Sequence, residues 1–311
     1  MGIRNFGKIG VLMGGPSSEN KISLKSGRAV LSALKESGIR AIPVLIKGEG
    51  ERENIALLRS KNIDCAFIAL HGRFGEDGGI QRILSKLNIP YTGSGVGASK
   101  LAMDKVASRN IFKLRGLNVP DFKVINKRGG IHNIRGLKLP LVVKPALTGS
   151  SIGISIADSR KSISDAIKLA FEFDRRVIVE EYIKGRELTV GILDDKPLPI
   201  IEIIPKRNFF DYQAKYRRGL TDYIVPAKVA PGAGIKAKKA ALSAHKLLGC
   251  FGCSRVDIIL DAKDRPFILE VNTIPGLTST SLLPKAAKKA GISFNNLCIR
   301  LIRLAYEKAQ G

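Results

Sequence analysis

"SRVDIILDAKDRPFILEVN", residues 254–272, holds two apolar segments joined by a short polar connection. The segments SRVDIIL and PFILEVN are predicted strands, and pairing through DAKDR would make them a hairpin. Side chains two positions apart share one face of a strand, so Arg255 lies beside Asp257, and Glu270 beside Asn272. Pairing would allow Asp257, Glu270 and Asn272 to converge.

Two carboxylates and an amide oxygen are hard ligands of the kind that Mg²⁺ prefers, and Mg²⁺ sites usually also bind substrate phosphates. The alternative is a surface hairpin with solvated charges. Against that alternative, the three polar side chains lie on strands whose other residues are strongly apolar. The pattern therefore favours a metal site.

The composition is globular, with 44% hydrophobic and 25% charged residues, and a length of 311 residues suits two or three modules. The net charge is +25, from 52 Lys and Arg against 27 Asp and Glu. The basic residues are spread along predicted helices, and aromatic residues are scarce at 6%, so we expect no nucleic-acid partner. The alternative, a charge-driven nucleic-acid-binding protein, would need neither Asp257 nor Glu270.

Four cysteines in so long a chain do not form a disulfide scaffold. Cys250 and Cys253 make a C-x-x-C with His245 upstream, but burial explains them better than zinc or redox chemistry. The N-terminus lacks the apolar run of a signal peptide, and no stretch approaches the length of a membrane span. The expectation is a cytoplasmic protein in a reducing compartment, with no membrane contact.

Residues 1–100 alternate predicted strands and helices, which indicates a parallel sheet covered on both faces. Ser17 or Ser18 is the expected cap of the first helix, and IPYT at 89–92 is a predicted short strand. The polar loops GGPSSEN and HGRFGEDGG follow strands, at the sheet edge where ligands bind in such folds.

After one long predicted helix over 98–116, closely spaced strands indicate antiparallel sheet. We place a second module at 101–186 and a third at 187–311. The fold class is therefore α/β with α+β modules.

Two motifs resemble known sites but are better explained otherwise. TGSGVGA at 92–98 matches a dinucleotide fingerprint, yet it comes too late in the chain, and a tight connection into a helix is preferred. GSSIG at 149–153 matches a nucleophile elbow around Ser151, but a strand follows where a helix is required. A Gly-Ser loop that offers N–H and hydroxyl groups to phosphate fits better.

Several other residues suit a nucleotide. Lys144 ends the strand LVVK beside the Gly-Ser loop, where a phosphate contact is more plausible than for an ordinary surface lysine. The segment after the strand VIVEEYI could pair with a purine through its backbone, and Glu187 could accept from a ribose hydroxyl.

With these motifs in order, the chain resembles the D-alanine–D-alanine ligase family of the ATP-grasp superfamily. The matching stretches include GGPSSENKISLKSG, HGRFGEDGGIQ, VVKPALTGSSIGIS, VEEYIKGRELTVGIL, DYQAKY and LEVNTIPGLTSTSLLPKAAKKAGISF. They cover nearly the whole chain. The resemblance implies an N-terminal parallel α/β domain followed by a two-part ATP-grasp fold.

The resemblance also implies roles for individual residues. Asp257, Glu270 and Asn272 would hold two Mg²⁺ ions, for which Mn²⁺ could substitute, on the ATP phosphates. The residues implied to bind ATP are Lys105, Lys144, Ser150, Ser151, Glu180, Glu181, Tyr182, Ile183, Glu187, Lys215, Leu269 and Asn272. Glu19 would bind the ammonium of the first D-alanine, in a network with Ser150 and Tyr216 and with His71 nearby. The residues implied around the reacting carbonyl and the second D-alanine are Arg255, Gly276, Ser281 and Leu282.

The implied reaction is ATP-dependent formation of D-alanyl-D-alanine through an acyl phosphate, for peptidoglycan precursors. The resemblance further suggests a homodimer and a mobile lid over 208–223. Two positions depart from the family pattern, Asn20 and Thr280, where Arg and His are common. Another ATP-grasp ligase, which joins a different carboxylate and amine, would share the ATP residues and differ at Glu19, Tyr216 and Ser281.

Overall fold

The structure is a computed structural model that describes residues 6–127, 134–149, 152–206 and 221–310. Its described strands form three sheets, and helices cover them, so the predicted mixed α/β class is confirmed. Of the helices that the structure describes, none combines the length and apolar character that a membrane crossing requires.

The first sheet is parallel, as predicted, with strand order β2-β1-β3. Its elements are β1 (Ile9–Gly14), α1 (Asn20–Glu36), β2 (Ala41–Ile46), α2 (Glu51–Lys61), β3 (Cys65–Ile68) and α3 (Gly79–Lys86). The IPYT segment is not a full strand, and its prediction was wrong. Only Tyr91 makes a bridge, to Ala66, because Gly93 then turns the chain with φ of +88°.

The predicted cap of α1 was also wrong. Glu19 is the N-cap residue and makes no side-chain cap hydrogen bond. The Ser17 hydroxyl instead donates to the His71 carbonyl at 2.6 Å. Ser17 therefore ties the two polar loops of the first sheet together.

The long helix predicted over 98–116 is two helices, α4 (Val96–Met103) and α5 (Lys105–Leu114). Asp104 between them has an extended backbone, and its carboxylate accepts from the N–H groups of Val106 and Ala107 at 3.0 and 3.1 Å. The helix restarts because an aspartate cap satisfies these exposed donors. As a result, Lys105 lies at the start of α5 and is buried.

The second sheet has four antiparallel strands in the order β4-β7-β5-β6, and α6 packs against it. Its elements are β4 (Phe122–Asn126), β5 (Leu141–Pro145), β6 (Ser155–Ala157), α6 (Arg160–Phe171) and β7 (Arg176–Glu181). The antiparallel pairing predicted here is confirmed.

The third sheet has six antiparallel strands, in the order β11-β10-β8-β12-β13 with β9 paired to β8. Its elements are β8 (Gly185–Leu193), β9 (Lys196–Pro197), β10 (Ile201–Pro205), β11 (Thr221–Ile224), α7 (Pro231–Leu247), β12 (Cys253–Asp261), β13 (Pro266–Asn272), α8 (Leu282–Lys289) and α9 (Phe294–Gln310). The chain passes from the second sheet to the third between Glu181 and Gly185. The three domain limits stay predictions.

The hairpin predicted from the opening stretch is formed by β12 and β13. Its register places Asp257 opposite Glu270, and Arg255 opposite Asn272, with an irregularity after Asp257. Alternate residues of β12, Val256, Ile258 and Leu260, are buried in a core shared with α7. The alanines of α7 that face this core are small, so the helix can lie close to the sheet.

The C-terminal helices return to the first sheet. Residues of α8 and α9 share one core with α1 and β1, including Leu297, Leu301 and Ile302. All four cysteines are free and buried, as predicted for the C-x-x-C pair. Burial raises the pKa of Cys250 and of Cys253 to about 12, so both thiols stay protonated at neutral pH.

The β12 core gives a stability prediction. Ile258 is fully buried, so Ile258→Ala removes buried carbon and leaves a cavity. We expect it to lower the free energy of unfolding by about 2–5 kcal/mol, measured by chemical denaturation. The same truncation at Ile235, which is 68% exposed, is the control and should change stability little. Equal effects of the two substitutions would contradict the assigned core.

Candidate active site

Two cavities meet at Glu270. The first, here called the sheet cavity, lies between the second and third sheets and has a volume of about 410 Å³, within the range of ligand pockets. The second, the loop cavity, lies between the polar loops of the first sheet and the segment after β13, with a volume of about 230 Å³. Glu270 lines both cavities, so a molecule in one can reach a molecule in the other.

The sheet cavity contains a buried group of charges. The Lys144 ammonium donates to one oxygen of Glu180 at 2.9 Å, and the Arg109 guanidinium donates to the other. Burial opposes ionisation of Glu180, but the two cations outweigh burial and the pKa of Glu180 is lowered. Burial and the nearby charge of Arg109 lower the pKa of Lys144 to about 8, despite its pairing with Glu180.

Residues from both sheets line the rest of the sheet cavity. The sequence-predicted residues that line it are Lys144, Glu180, Glu181, Tyr182, Ile183, Glu187, Leu269, Asp257 and Glu270. Apolar side chains from both sheets complete the lining, among them Val142 and Ile203. The Glu181 carboxylate accepts from the Lys138 N–H at 2.9 Å, which fixes the loop before β5.

At the junction of the cavities, carboxylates lie beside cations. Lys105 approaches Glu270 at 3.4 Å and donates to the Thr148 carbonyl at 2.9 Å. The Arg255 guanidinium binds both oxygens of Asp257 at 2.9 Å. A bidentate pair of this kind fixes the orientation of both groups.

The residues at the junction fit a hard cation. Asp257 and Glu270 are opposed across the hairpin, and Asn272 lies two positions further along the strand of Glu270. The amide oxygen of Asn272 accepts from the Ile274 N–H at 2.9 Å and retains a second lone pair. Among the described residues, no group of three or more His, Cys, Asp and Glu could hold a metal ion, so a metal here relies on the amide oxygen or on a bound substrate.

The loop cavity has an acidic end, of which the sequence predicted only some residues. Glu19 and His71, both predicted, are buried there. Glu76, which was not predicted, also lines the cavity and lies 3.4 Å from Nδ1 of His71. Burial raises the pKa of Glu76, and the negative charge of Glu19 raises it further. Glu76 could have been predicted from its position in the polar loop HGRFGEDGG, five residues after His71.

A hydrogen-bonded chain links this acidic end to the segment after β13. Nε2 of His71 lies 3.0 Å from the Ser26 hydroxyl, which accepts from the Leu277 N–H at 3.3 Å. The predicted residue Gly276 therefore sits next to an anchored position. A Cβ at Gly276 would lie 2.8 Å from the Ser281 hydroxyl oxygen, so a larger residue there would displace Ser281.

The remaining predicted residues of the loop cavity lie at its other end. Ser281 accepts from the Thr278 N–H at 3.0 Å, and Leu282 is the first residue of α8. Of the two departures from the family pattern, Thr280 lines the cavity, and the Asn20 amide donates to the Gly15 carbonyl at 2.6 Å. Ser150, Ser151, Lys215 and Tyr216, and most of the predicted lid, lie outside the described residues.

TGSGVGA forms the tight connection into α4 that was preferred for it. The Ser94 hydroxyl accepts from the Phe251 N–H at 3.1 Å. A Cβ at Gly252 would lie 3.5 Å from the Gly93 backbone, so the two segments pack closely. These glycines serve packing between segments of the chain.

Comparison with known proteins gives a consistent result. The family model described as D-ala D-ala ligase C-terminus matches residues 111–303, and the model described as D-ala D-ala ligase N-terminus matches residues 51–94. The D-alanine–D-alanine ligase of Pelotomaculum thermopropionicum is 45% identical over 312 residues, covering 96% of this chain and 97% of the relative. That of Nitrosomonas europaea is 44% identical and covers 99% and 100%.

Solved structures agree. The D-alanine–D-alanine ligase from Bacillus anthracis complexed with ATP superposes with a TM-score of 0.85 at 33% identity, covering 98% of each chain. A second structure of the ligase from this organism gives a TM-score of 0.88 at 36% identity, covering 97% of this chain and 98% of that one.

The raised pKa of Glu76 predicts a pH-dependent stability difference. Because the folded carboxyl keeps its proton above the ordinary value of 4.5, ionisation weakens the wild-type fold as the pH rises. Glu76→Gln cannot ionise, so we expect its free energy of unfolding relative to wild type to increase from pH 4.5 towards pH 8.

Chemical denaturation across this pH range measures the difference. Glu53→Gln, at an exposed position, is the control for removing a charge as such. A difference between Glu76→Gln and wild type that is constant with pH, or that shrinks as the pH rises, would contradict the assignment.

Proposed function

The chain belongs to the D-alanine–D-alanine ligase family, and from that premise we propose how its two cavities form D-alanyl-D-alanine for peptidoglycan precursors. ATP occupies the sheet cavity and two D-alanines occupy the loop cavity. The observation that carries this proposal is Glu270, which lines both cavities. The γ-phosphate and the amino-acid carboxylate meet at this residue.

ATP binds with its adenine between the two sheets. The backbone of Tyr182 and Ile183 pairs with the purine edge, and Glu187 accepts from the ribose. Lys144 and Lys105 face the phosphates, where their positive charges offset the negative charge that accumulates. Lys215 and the loop containing Ser150 and Ser151 complete this set by resemblance to the family.

The first D-alanine binds at the acidic end of the loop cavity. Its ammonium pairs with Glu19, and the second carboxylate, Glu76, adds negative charge at the same end. By resemblance to the family, Ser150 and Tyr216 complete the network around Glu19. This orientation directs the carboxylate of the substrate away from the two acids and towards Glu270.

The first step activates that carboxylate, because an oxide is a poor leaving group. A carboxylate oxygen attacks the γ-phosphorus, the bond to the β-phosphate oxygen breaks, and ADP leaves. The product is an acyl phosphate. Lys105 is 3.4 Å from Glu270 at the cavity junction, which is where the transferred phosphoryl group passes.

The second step forms the peptide bond. The neutral amine of the second D-alanine attacks the acyl carbon, phosphate leaves with the electrons of the broken C–O bond, and the surplus proton of the amine ends on the released phosphate. Arg255 and the Gly276 N–H donate to the oxyanion of the tetrahedral intermediate. Ser281 and the N-terminal end of the helix that begins at Leu282 receive the carboxylate of the second D-alanine.

Asp257, Glu270 and Asn272 would hold two Mg²⁺ ions at the junction, with Mn²⁺ as a substitute. Bound there, the ions neutralise phosphate charge during phosphoryl transfer. Oxygen donors of this kind fit hard cations, which supports the assignment. Arg255 holds Asp257 in place from the neighbouring position of the same strand face.

We further propose that the protein acts as a homodimer in the cytoplasm. Family membership supports the dimer. The four free, buried cysteines are in keeping with a reducing compartment.

The test of the function is phosphate release with ATP, Mg²⁺ and a panel of D- and L-amino acids. We expect release with D-alanine and a product with the mass of the dipeptide. An ATP-grasp ligase for another substrate pair would instead respond to a different amino acid of the panel, and no release with any member would reject the proposal.

Arg255 gives the sharpest prediction about the second step. Arg255→Ala removes a donor to the oxyanion, and losing one such donor costs roughly 10²–10³ in turnover. We expect dipeptide formation to fall by about this factor while the far-ultraviolet circular dichroism stays unchanged. The matched control is Arg265→Ala on the same hairpin, because Arg265 pairs with Asp261 at the exposed turn. Turnover of Arg255→Ala like that of wild type would remove Arg255 from the mechanism.

The metal assignment makes a separate prediction. Glu270→Gln retains the side-chain size but loses the charge, so it should raise the Mg²⁺ concentration needed for half-maximal activity and lower the rate at saturation. Chelation should abolish activity, and added Mg²⁺ or Mn²⁺ should restore it. Glu307→Gln, an exposed carboxylate on the last helix, is the control. An unchanged Mg²⁺ dependence in Glu270→Gln would overturn the assignment.

A further inference from the structure

Arg109 joins the two sheets that enclose the sheet cavity. It lies on α5, has no exposed surface and does not line the cavity. Its guanidinium donates through Nη1 to Glu180 on the second sheet and through Nη2 to the Leu269 carbonyl on the third sheet, at 3.1 Å. The guanidinium also lies 5.7 Å from the centre of the Phe122 ring. One side chain therefore spans both walls of the cavity.

Stability alone does not explain this arginine. Among the described residues, its Nε is buried without a hydrogen-bond partner. Two cations and one carboxylate, Arg109, Lys144 and Glu180, are buried together, so the group carries one positive charge in excess. Buried charges of this kind often contribute less to stability than apolar residues of similar volume would. The arrangement is better explained by the ligand that the cavity binds.

We propose that Arg109 is a positioning residue for ATP binding. Arg109 fixes the Glu180 carboxylate and the spacing of the two sheets, so that Lys144 presents its ammonium to the nucleotide. This inference rests on the proposed function for its ligand. It adds to that function a residue that does not touch the nucleotide.

Arg109 acts through its contacts with Glu180 and with the Leu269 carbonyl. Glu180 has its two oxygens divided between Arg109 and Lys144, so the carboxylate cannot rotate without breaking one contact. The contact to the Leu269 carbonyl fixes the backbone next to Glu270. Without the arginine, the Glu180 carboxylate could rotate and the distance between the two sheets would no longer be fixed.

The positioning role of Arg109 should also be visible in the pKa of Lys144, which depends on the charges around its ammonium. The charged groups that act on its ammonium are Glu180, Arg109 and Lys105. The helix α6, on the other face of the strand, carries only exposed charges, at Arg160, Lys161, Asp165 and Lys168. Arg109 lowers the pKa of Lys144, so removing its charge raises that pKa.

Three variants of the full chain test the proposal. Arg109→Met removes the charge and both contacts, and Arg109→Lys keeps the charge but cannot span both sheets. Phe112→Leu is the matched control, because Phe112 is buried on the same helix but packs in the core beneath the third sheet. The measurements are the Kd of ATP, KM for ATP and kcat from pH 6 to pH 10.

We expect Arg109→Met to raise KM and Kd for ATP about tenfold, or about 1.4 kcal/mol, with kcat within roughly twofold of wild type. At alkaline pH, the fall in kcat/KM for ATP should begin at a higher pH in Arg109→Met than in wild type, because Lys144 stays protonated to a higher pH. Arg109→Lys should restore the wild-type pH profile and part of the affinity. Phe112→Leu should lower the unfolding midpoint without changing KM for ATP or the pH profile.

Two results would overturn the proposal. One is an Arg109→Met protein whose ATP affinity and pH profile match those of wild type. The other is a Phe112→Leu protein that reproduces both changes, since the arginine would then act only through stability. If Arg109→Met does not fold, Arg109→Lys carries the test, because unchanged ATP affinity in that folded variant would also reject the positioning role.

Failure of the proposed function and failure of the Arg109 role would give different results. The Kd of ATP needs no turnover, so it tests Arg109 even if wild-type protein forms no dipeptide. Absence of D-alanine-dependent phosphate release from wild type would reject the function alone. An unchanged Kd in Arg109→Met, with an active wild type, would reject only the role of Arg109.

Discussion

The antiparallel register of β12 with β13 is the constraint on which the junction of the two cavities depends. Side chains alternate between the faces of a strand, so a slip of one residue would turn Glu270 and Asn272 to the opposite face. Buried Ile268 and Val271 on β13 make such a slip costly, because they would leave the core shared with α7. The same apolar packing that stabilises the hairpin therefore aims its polar side chains.

Negative and positive side chains are concentrated in different parts of the two cavities. A protein with a net charge of +25 places two carboxylates, Glu19 and Glu76, at one end of the loop cavity. Cations line the route from the sheet cavity to the junction, where Lys105 and Lys144 lie. This separation of negative from positive side chains would orient an amino acid and a nucleoside triphosphate before any bond is made. The large overall charge says little about the site, which depends on the placement of a few buried groups.

Local patterns predicted the elements well wherever they depended on the side-chain period. The parallel first sheet, the antiparallel second sheet and the hairpin follow from runs of apolar residues. Two of the errors arose where one polar side chain decided the outcome. Asp104 ends one helix and caps the next, and Ser17 bonds to His71 instead of capping α1. Both choices depend on which acceptor or donor lies nearby in space.

The strands of the hairpin, the two polar loops and the order of motifs that places the chain in its family could all be predicted from the sequence. It could not determine the partners of residues far apart along the chain. Arg109 contacts Glu180 across 71 positions and Leu269 across 160, and Ser26 meets Leu277 across 251. The spacing of apolar residues along a strand or helix indicates which face a side chain occupies. It does not indicate which residues pack against that face. Those partners are set by the folded structure, because burial brings together side chains that match in shape and charge, whatever their distance along the chain.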